Sequence, residues 1–332
     1  MACGEQANML IDGFSREIRY LRISITDRCN LRCRYCMPDE GVQWLPHEGI
    51  MRYEEMLRVI RICSEMGVDK VRLTGGEPLI RKGLLGFIER IREIKGINDL
   101  SVTTNGVLLY DMAQDLKTAG ITRLNISLDT LNKDKFSYIT RVDAFDNVMR
   151  GISKAIELGF IVKINVVAIS GFNDDEINNF AKHSIDKDIE IRFIELMPMG
   201  CAARFGNGSV FKADELKDII ESEYGTLSPV KGGLGPARVF KIKGAKGKIG
   251  FIDPMTEHSF CRRCNRIRLT ANGQLKLCLF SEDSIDLLSV IRKGISDREL
   301  SSFIKESVKL KPGHGIHIEG KNGKGAMNRI GG

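Results

Sequence analysis

The chain has 332 residues, 42% hydrophobic and 28% charged, with a net charge of +7. This is the make-up of an ordinary globular protein, long enough for one large core and a smaller unit beside it, and no apolar run approaches a membrane span. The small basic excess suits an anionic small ligand, while the absence of a dense basic run interleaved with aromatics argues against nucleic acid as partner.

Nine cysteines are an odd number for a disulfide framework, and six of them fall into two groups, 29/33/36 and 261/264/278. The first thirty residues hold charges and no long apolar run, so no signal peptide is expected. The cysteine usage then points to a reducing cytoplasm and metal–sulfur chemistry. Of the remaining three, Cys63 follows Met56 and Ile60 at helical spacing and reads as core. Cys3 falls in the terminus, and Cys201 receives no role.

The first β-rich run, 21–26, leads into Cys29-Asn-Leu-Arg-Cys33-Arg-Tyr-Cys36. A loop at a strand end can turn all three sulfurs toward one point. Three thiolates hold three corners of a cubic iron–sulfur cluster and leave its fourth iron open. The rival is structural zinc, which closes with four ligands; the nearest fourth is His47.

Further strands are expected at 70–74, 99–103, 122–128, 160–169 and 189–195, and helices near 53–66, 83–94, 111–118, 145–158 and 174–183. Six β/α repeats predict a parallel sheet with helices outside, curling toward a barrel but short of the eight strands of a full one. Chemistry in such folds gathers at the C-terminal strand ends. Thr74-Gly75-Gly76-Glu77-Pro78, Thr103-Thr104-Asn105-Gly106, Ser127-Leu128-Asp129, Lys163-Ile164-Asn165 and Glu195 with Met197-Pro198-Met199-Gly200 put polar groups or turns at or near one end of successive strands. Glu77 is read as an acceptor for an ammonium group. Lys70 and Arg72 share a strand face. Lys163 and Arg192 lie in apolar strands, where a charge must be paired or face a ligand. Pairing would use Glu195 or Asp129; otherwise these cations line a phosphate pocket.

Residues 212–223 predict a helix and 225–250 loops and short hairpins. Cys261-Arg-Arg-Cys264-Asn-Arg266-Ile-Arg268-Leu and Cys278 form the second group, C-x2-C-x13-C. It holds a second cluster, or zinc completed by His258. Arg266 and Arg268 share a face of a strand over 265–270, suited to an anion or nucleobase. The last residues, through Gly331 and Gly332, form either a thin strand able to enter a cavity or a disordered end.

The first cysteine motif resembles the signature of the radical S-adenosylmethionine (SAM) superfamily, and Gly-Gly-Glu-Pro resembles its SAM-binding turn. With the second triad, the arginines and the Gly-Gly end, the chain resembles the GTP 3′,8-cyclase family of molybdenum cofactor biosynthesis over about 20–200, 257–280 and the last six residues. The resemblance implies an α/β fold: an incomplete (β/α)6 TIM-type barrel over 1–200, with a smaller C-terminal α+β region over 201–332 closing the open side. It implies two [4Fe–4S] clusters, on Cys29, Cys33 and Cys36 and on Cys261, Cys264 and Cys278. SAM contacts would fall to Tyr35, Gly76, Ser127 and Met197. GTP contacts would fall to Arg22, Lys70, Arg72, Thr103, Lys163 and Arg192, with Arg266 and Arg268 beside the nucleotide and Gly331 and Gly332 reaching the active site. Hydrogen abstraction from C3′ of the ribose and attack on C8 would give (8S)-3′,8-cyclo-7,8-dihydroguanosine 5′-triphosphate. A homodimer, a reductant protein such as flavodoxin or ferredoxin, and transfer to cyclic pyranopterin monophosphate synthase are also implied. The alternatives are another radical SAM enzyme with an auxiliary cluster, such as a peptide-modifying maturase, and a zinc-stabilised nucleic-acid-binding protein.

Overall fold

The computed structural model describes residues 9–199, 201–202, 211–231, 235–257 and 259–314. Cys3, Gly200, the Gly232-Gly233 pair, His258, Gly331 and Gly332 lie outside them.

The six expected strands form: β1 (Tyr20–Ser24), β2 (Lys70–Thr74), β3 (Asp99–Thr104), β4 (Arg123–Ser127), β5 (Ile161–Ala168) and β6 (Ile189–Glu195). Each pairs in parallel with the next. Between them run α1 (Tyr53–Glu65), α2 (Leu84–Arg92), α3 (Leu109–Thr118), α4 (Lys133–Thr140), α5 (Phe145–Glu157) and α6 (Ile177–Asp186). Their apolar residues recur on one face, as Val148, Gly151, Ile152 and Ala155 do on α5. That face packs against strand residues such as Leu21, Ile23, Val71, Leu73, Ile126 and Ile164 in one continuous core.

Helix α4 was not expected from sequence. It is short, and only Phe136, Ile139 and Thr140 of it are buried, which is too little for a periodic signal. Asn132 caps it, its Oδ1 accepting from the amides of Asp134 and Lys135.

Beyond β6 come α7 (Ala213–Tyr224), β7 (Ser228–Pro229), β8 (Arg238–Lys241), β9 (Lys248–Ile252), β10 (Arg266–Leu269), β11 (Gln274–Lys276), β12 (Ile285–Asp286), α8 (Leu287–Arg292) and α9 (Asp297–Lys309). These strands join the same sheet. β9 adds in parallel to β6, and β10 adds in parallel to β1 at the opposite edge. Eight consecutive parallel strands result, flanked by β8 and β7 at one end and β11 and β12 at the other. The sheet is open, since end strands β12 and β7 do not pair. Among the described residues no helix is long and apolar enough to cross a membrane.

The parallel register brings like with like. Arg268, Arg22, Arg72, Ser101 and Arg123 form one row across five strands. Thr103, Asn125, Lys163, Glu190 and Lys248 form another. Residues in register on adjacent strands share a face. The inner face is therefore polar and cationic, where a packed barrel would carry layers of aliphatic side chains.

Candidate active site

A cavity of about 290 Å³ opens on this inner face. Both cysteine triads line it. So do Tyr35, Gly76, Ser127, Met197, Arg22, Arg72, Thr103, Arg192, Arg266 and Arg268. Lys70 and Lys163 line a second, smaller cavity of about 100 Å³, which shares Arg72 and Arg192 with the first. Every expected site residue among the described ones thus lines one of two cavities that have Arg72 and Arg192 in common.

The cysteine loop after β1 is held by backbone contacts. The amides of Arg32 and Arg34 donate to the carbonyls of Thr140 and Ile139, which the end of α4 leaves free. Arg141, in the left-handed region at φ 59°, caps that helix and donates Nη1 to the carbonyls of Arg32 (2.6 Å) and Met37 (3.2 Å). From the other side the Gly75-Gly76 turn packs against the same segment. The Gly76 amide donates to Thr26 O at 2.7 Å and the Glu77 amide to Arg28 O at 2.8 Å. A Cβ at Gly76 would sit 2.1 Å from the Arg28 carbonyl oxygen, so only glycine fits.

Glu77, read as an acceptor for an ammonium group, lines the cavity with its carboxylate already engaged by the protein. It is 1% exposed; Oε1 accepts from Leu79 N (3.0 Å) and Thr104 Oγ1 (2.8 Å), and Oε2 from Asn105 N (2.7 Å). It braces the turns after β2 and β3. Burial pushes its carboxyl up to about 7, against the pull of these bonds. Asp129 is similarly engaged, accepting from Tyr35 Oη (2.7 Å) and Val167 N (2.9 Å).

The two triads sit in different electrostatic surroundings. Burial pushes the Cys29 thiol up to about 11, and Cys33 and Cys36 are raised as well, with Asp129 nearby adding to the rise at both. Thiolates there call for bound cationic charge, which iron supplies. At Cys264 burial is outweighed by Arg266 and Lys311, which bring the thiol down to about 6. Arg266 also lies over the Phe260 ring, 5.0 Å from its centroid. His47, the fourth ligand a zinc reading needs at the first triad, is exposed and does not line the cavity. Among the described residues no three His, Cys, Asp or Glu side chains converge as ligands of one metal ion. A cubic cluster asks for something else, since each thiolate binds a different iron. Three half-buried thiols around one cavity fit that group.

The smaller cavity is lined by seven cations, Lys70, Arg72, Arg123, Lys163, Arg192, Lys231 and Lys248, and one carboxylate, Glu190. The ion-pair partner of Lys163 and Arg192 is Glu190, at 2.7 and 2.5 Å, and not Glu195 or Asp129. Glu195 is occupied by Ala213 N, Met255 N and Thr256. Glu190 lies two residues before Arg192 and in register with Lys163, so strand alternation was its signal. Arg123, Lys231 and Lys248 were also missed; the last two fall in the 225–250 segment read as featureless loop and hairpin. Arg72 Nε, Thr103 Oγ1 and Asn165 Oδ1 are buried without a hydrogen-bond partner. Such groups are costly until a ligand satisfies them.

A family model described as Radical SAM superfamily matches residues 23–183, and one described as Molybdenum Cofactor Synthesis C matches 189–315. The solved structure of Streptococcus suis SuiB bound to S-adenosylmethionine aligns with a TM-score of 0.63 at 14% identity, over 89% of this chain and 69% of that one. Fold and cysteine loop together define a radical SAM protein. Curated relatives narrow the class. The GTP 3′,8-cyclase of Thermodesulfovibrio yellowstonii is 50% identical over 91% of this chain and 94% of its own, and that of Pelotomaculum thermopropionicum is 47% identical over 97% and 99%. The chain belongs to the GTP 3′,8-cyclase family.

Proposed function

We propose that this protein converts GTP to (8S)-3′,8-cyclo-7,8-dihydroguanosine 5′-triphosphate, the first step of molybdenum cofactor biosynthesis. The observation that carries the reading is the pair of adjoining cavities: two cysteine triads line one, and it shares Arg72 and Arg192 with a chamber of seven cations and one carboxylate. Superfamily membership brings SAM and iron–sulfur chemistry. A peptide-modifying maturase could share the fold, and SuiB, which is similar in fold, is solved bound to a precursor peptide, but a peptide gives no reason for a chamber shaped by cations.

In this reading Cys29, Cys33 and Cys36 hold the first [4Fe–4S] cluster, and Cys261, Cys264 and Cys278 the second. When bound, SAM and the reduced first cluster supply a carbon radical able to take hydrogen from C3′ of the ribose. Tyr35, Gly76, Ser127 and Met197 seat SAM between the cysteine loop and the strand ends. Lys70, Arg72, Lys163 and Arg192 hold the triphosphate through charge-assisted bonds. Thr103 and Arg22 fix the ribose side, and Arg266 and Arg268 bracket the base beside the second triad. Gly331 and Gly332, expected at the active site, lie outside the described residues. The protein's contribution is to hold C3′ and C8 in reacting geometry and to keep water out.

The two family models meet between residues 183 and 189, short of the expected division at 200. Family membership also supports a cytoplasmic location, a homodimer, a reductant such as flavodoxin or ferredoxin, and handover to cyclic pyranopterin monophosphate synthase. Anaerobic iron, sulfide and zinc analysis tests the cofactor assignment. About eight irons per chain should fall to about four in a Cys261/Cys264/Cys278→Ala variant. Four irons and one zinc in the parent would make the second site structural.

A further inference from the structure

Two cations, Lys311 buried and Arg16 half-buried, contact the second triad from outside the cavity and have no part in the chemistry above. Arg16 stands in the turn that precedes β1, its side chain one-tenth exposed. Its Nε donates to Asp12 Oδ2 at 2.6 Å, and Asp12 is itself fixed by the amides of Phe14 and Arg16. Its Nη1 donates to the Cys261 carbonyl at 2.7 Å and the Gly313 carbonyl at 3.3 Å, and Nη2 to Pro312 O at 2.6 Å. The turn lies hard against the end of α9, where a Cβ at Gly13 would meet the Lys309 carbonyl oxygen at 2.7 Å. Lys311, next along the chain, is 2% exposed. Its Nζ donates to the carbonyls of Arg266 (2.9 Å) and Leu277, and lies beside the Cys264 thiol.

These acceptors touch each arm of the triad: Cys261 itself, Arg266 two residues after Cys264, and Leu277 just before Cys278. Segments more than 240 residues apart in sequence meet there. We propose that Arg16 and Lys311 are positioning residues for the second triad, a clamp that sets the spacing of its three arms and stands positive charge behind its thiolates. Near the first triad stand two carboxylates, Glu77 and Asp129, and one cation, Arg32, whose Nη1 donates to the Cys29 carbonyl. Positive charge behind a cluster favours its reduced form, so the second cluster should be the easier of the two to reduce.

The proposal rests on the second triad being a cluster site, and the experiment separates the two. On a Cys29/Cys33/Cys36→Ala background, iron content and electron paramagnetic resonance report whether the second cluster is there. The midpoint potential of that cluster, measured with K311M and K311R added, reports on the clamp. K311M should lower the potential and move the g-values, and K311R should restore the parent potential. In iron-free full-length protein, K311M should raise amide hydrogen exchange across 261–266 and 277–280 while the β2–β5 amides stay protected. Should K311M not fold, K311Q carries the same measurements, since it keeps a donor without the charge. An unchanged potential at full iron content overturns the proposal, and so does unchanged exchange across those two segments. Absence of iron on the background refutes the cluster reading alone, and the exchange arm still decides the clamp.

Discussion

Lys163 and Arg192 share one carboxylate, Glu190, so either cation can be removed without leaving Glu190 unpaired. Lys163→Ala or Arg192→Ala should weaken GTP binding by about 10–100-fold, the worth of a lost charge-assisted bond, and leave SAM binding unchanged. Calorimetric titration with each ligand reads this, and equal GTP affinity in variant and parent would remove these residues from the triphosphate site. Burial, then the charge of Arg192, lowers Lys163 to about 8, Glu190 notwithstanding. Its folded value thus lies below the ordinary 10.5, and between the two the unfolded chain binds more protons. Lys163's contribution to unliganded stability therefore rises as pH climbs from 8 to 10.5. GTP affinity should move the other way, falling as Lys163 loses its charge above pH 8. Lys163→Arg should flatten that fall.

The elements that position the first triad are the turn after β2 and the end of α4. Gly76→Ala would drive a methyl group into the Arg28 carbonyl and push the cysteine loop away. Iron content should fall to that of the second triad alone, and SAM binding should be lost; a variant with full iron would show that the turn can yield. The six strands of the first half were legible because their apolar residues alternate and turn residues separate them. The cysteine motif, the glycine pair and the basic residues were legible by type and spacing. What was hidden is non-local. Glu190 becomes a partner of Lys163 only once the β5–β6 register is known. Helix α4, too polar to announce itself, supplies the carbonyls on which the cysteine loop rests. Two of Glu77's three donors, Thr104 and Asn105, come from a segment that only folding brings to it.

Across the whole molecule, the C-terminal strands complete the sheet at both edges, β9 on β6 and β10 on β1. No periodicity in the chain reveals that residues 248–252 and 266–269 lie at opposite ends of one sheet. A fragment of residues 1–200 would expose two parallel edges with apolar neighbours and lose half of the site. It should aggregate or melt without cooperativity, as light scattering and thermal circular dichroism would show. A soluble, cooperatively folding fragment would instead make the first half an independent domain.

The proposed function turns on one step, the making of a radical at the ribose of GTP. The most direct test is anaerobic turnover with GTP deuterated at C3′, SAM and a chemical reductant, followed by mass analysis of 5′-deoxyadenosine. One deuterium should be carried into 5′-deoxyadenosine, formed only when GTP is present. Deuterium-free 5′-deoxyadenosine formed at the same rate with and without GTP would contradict that step.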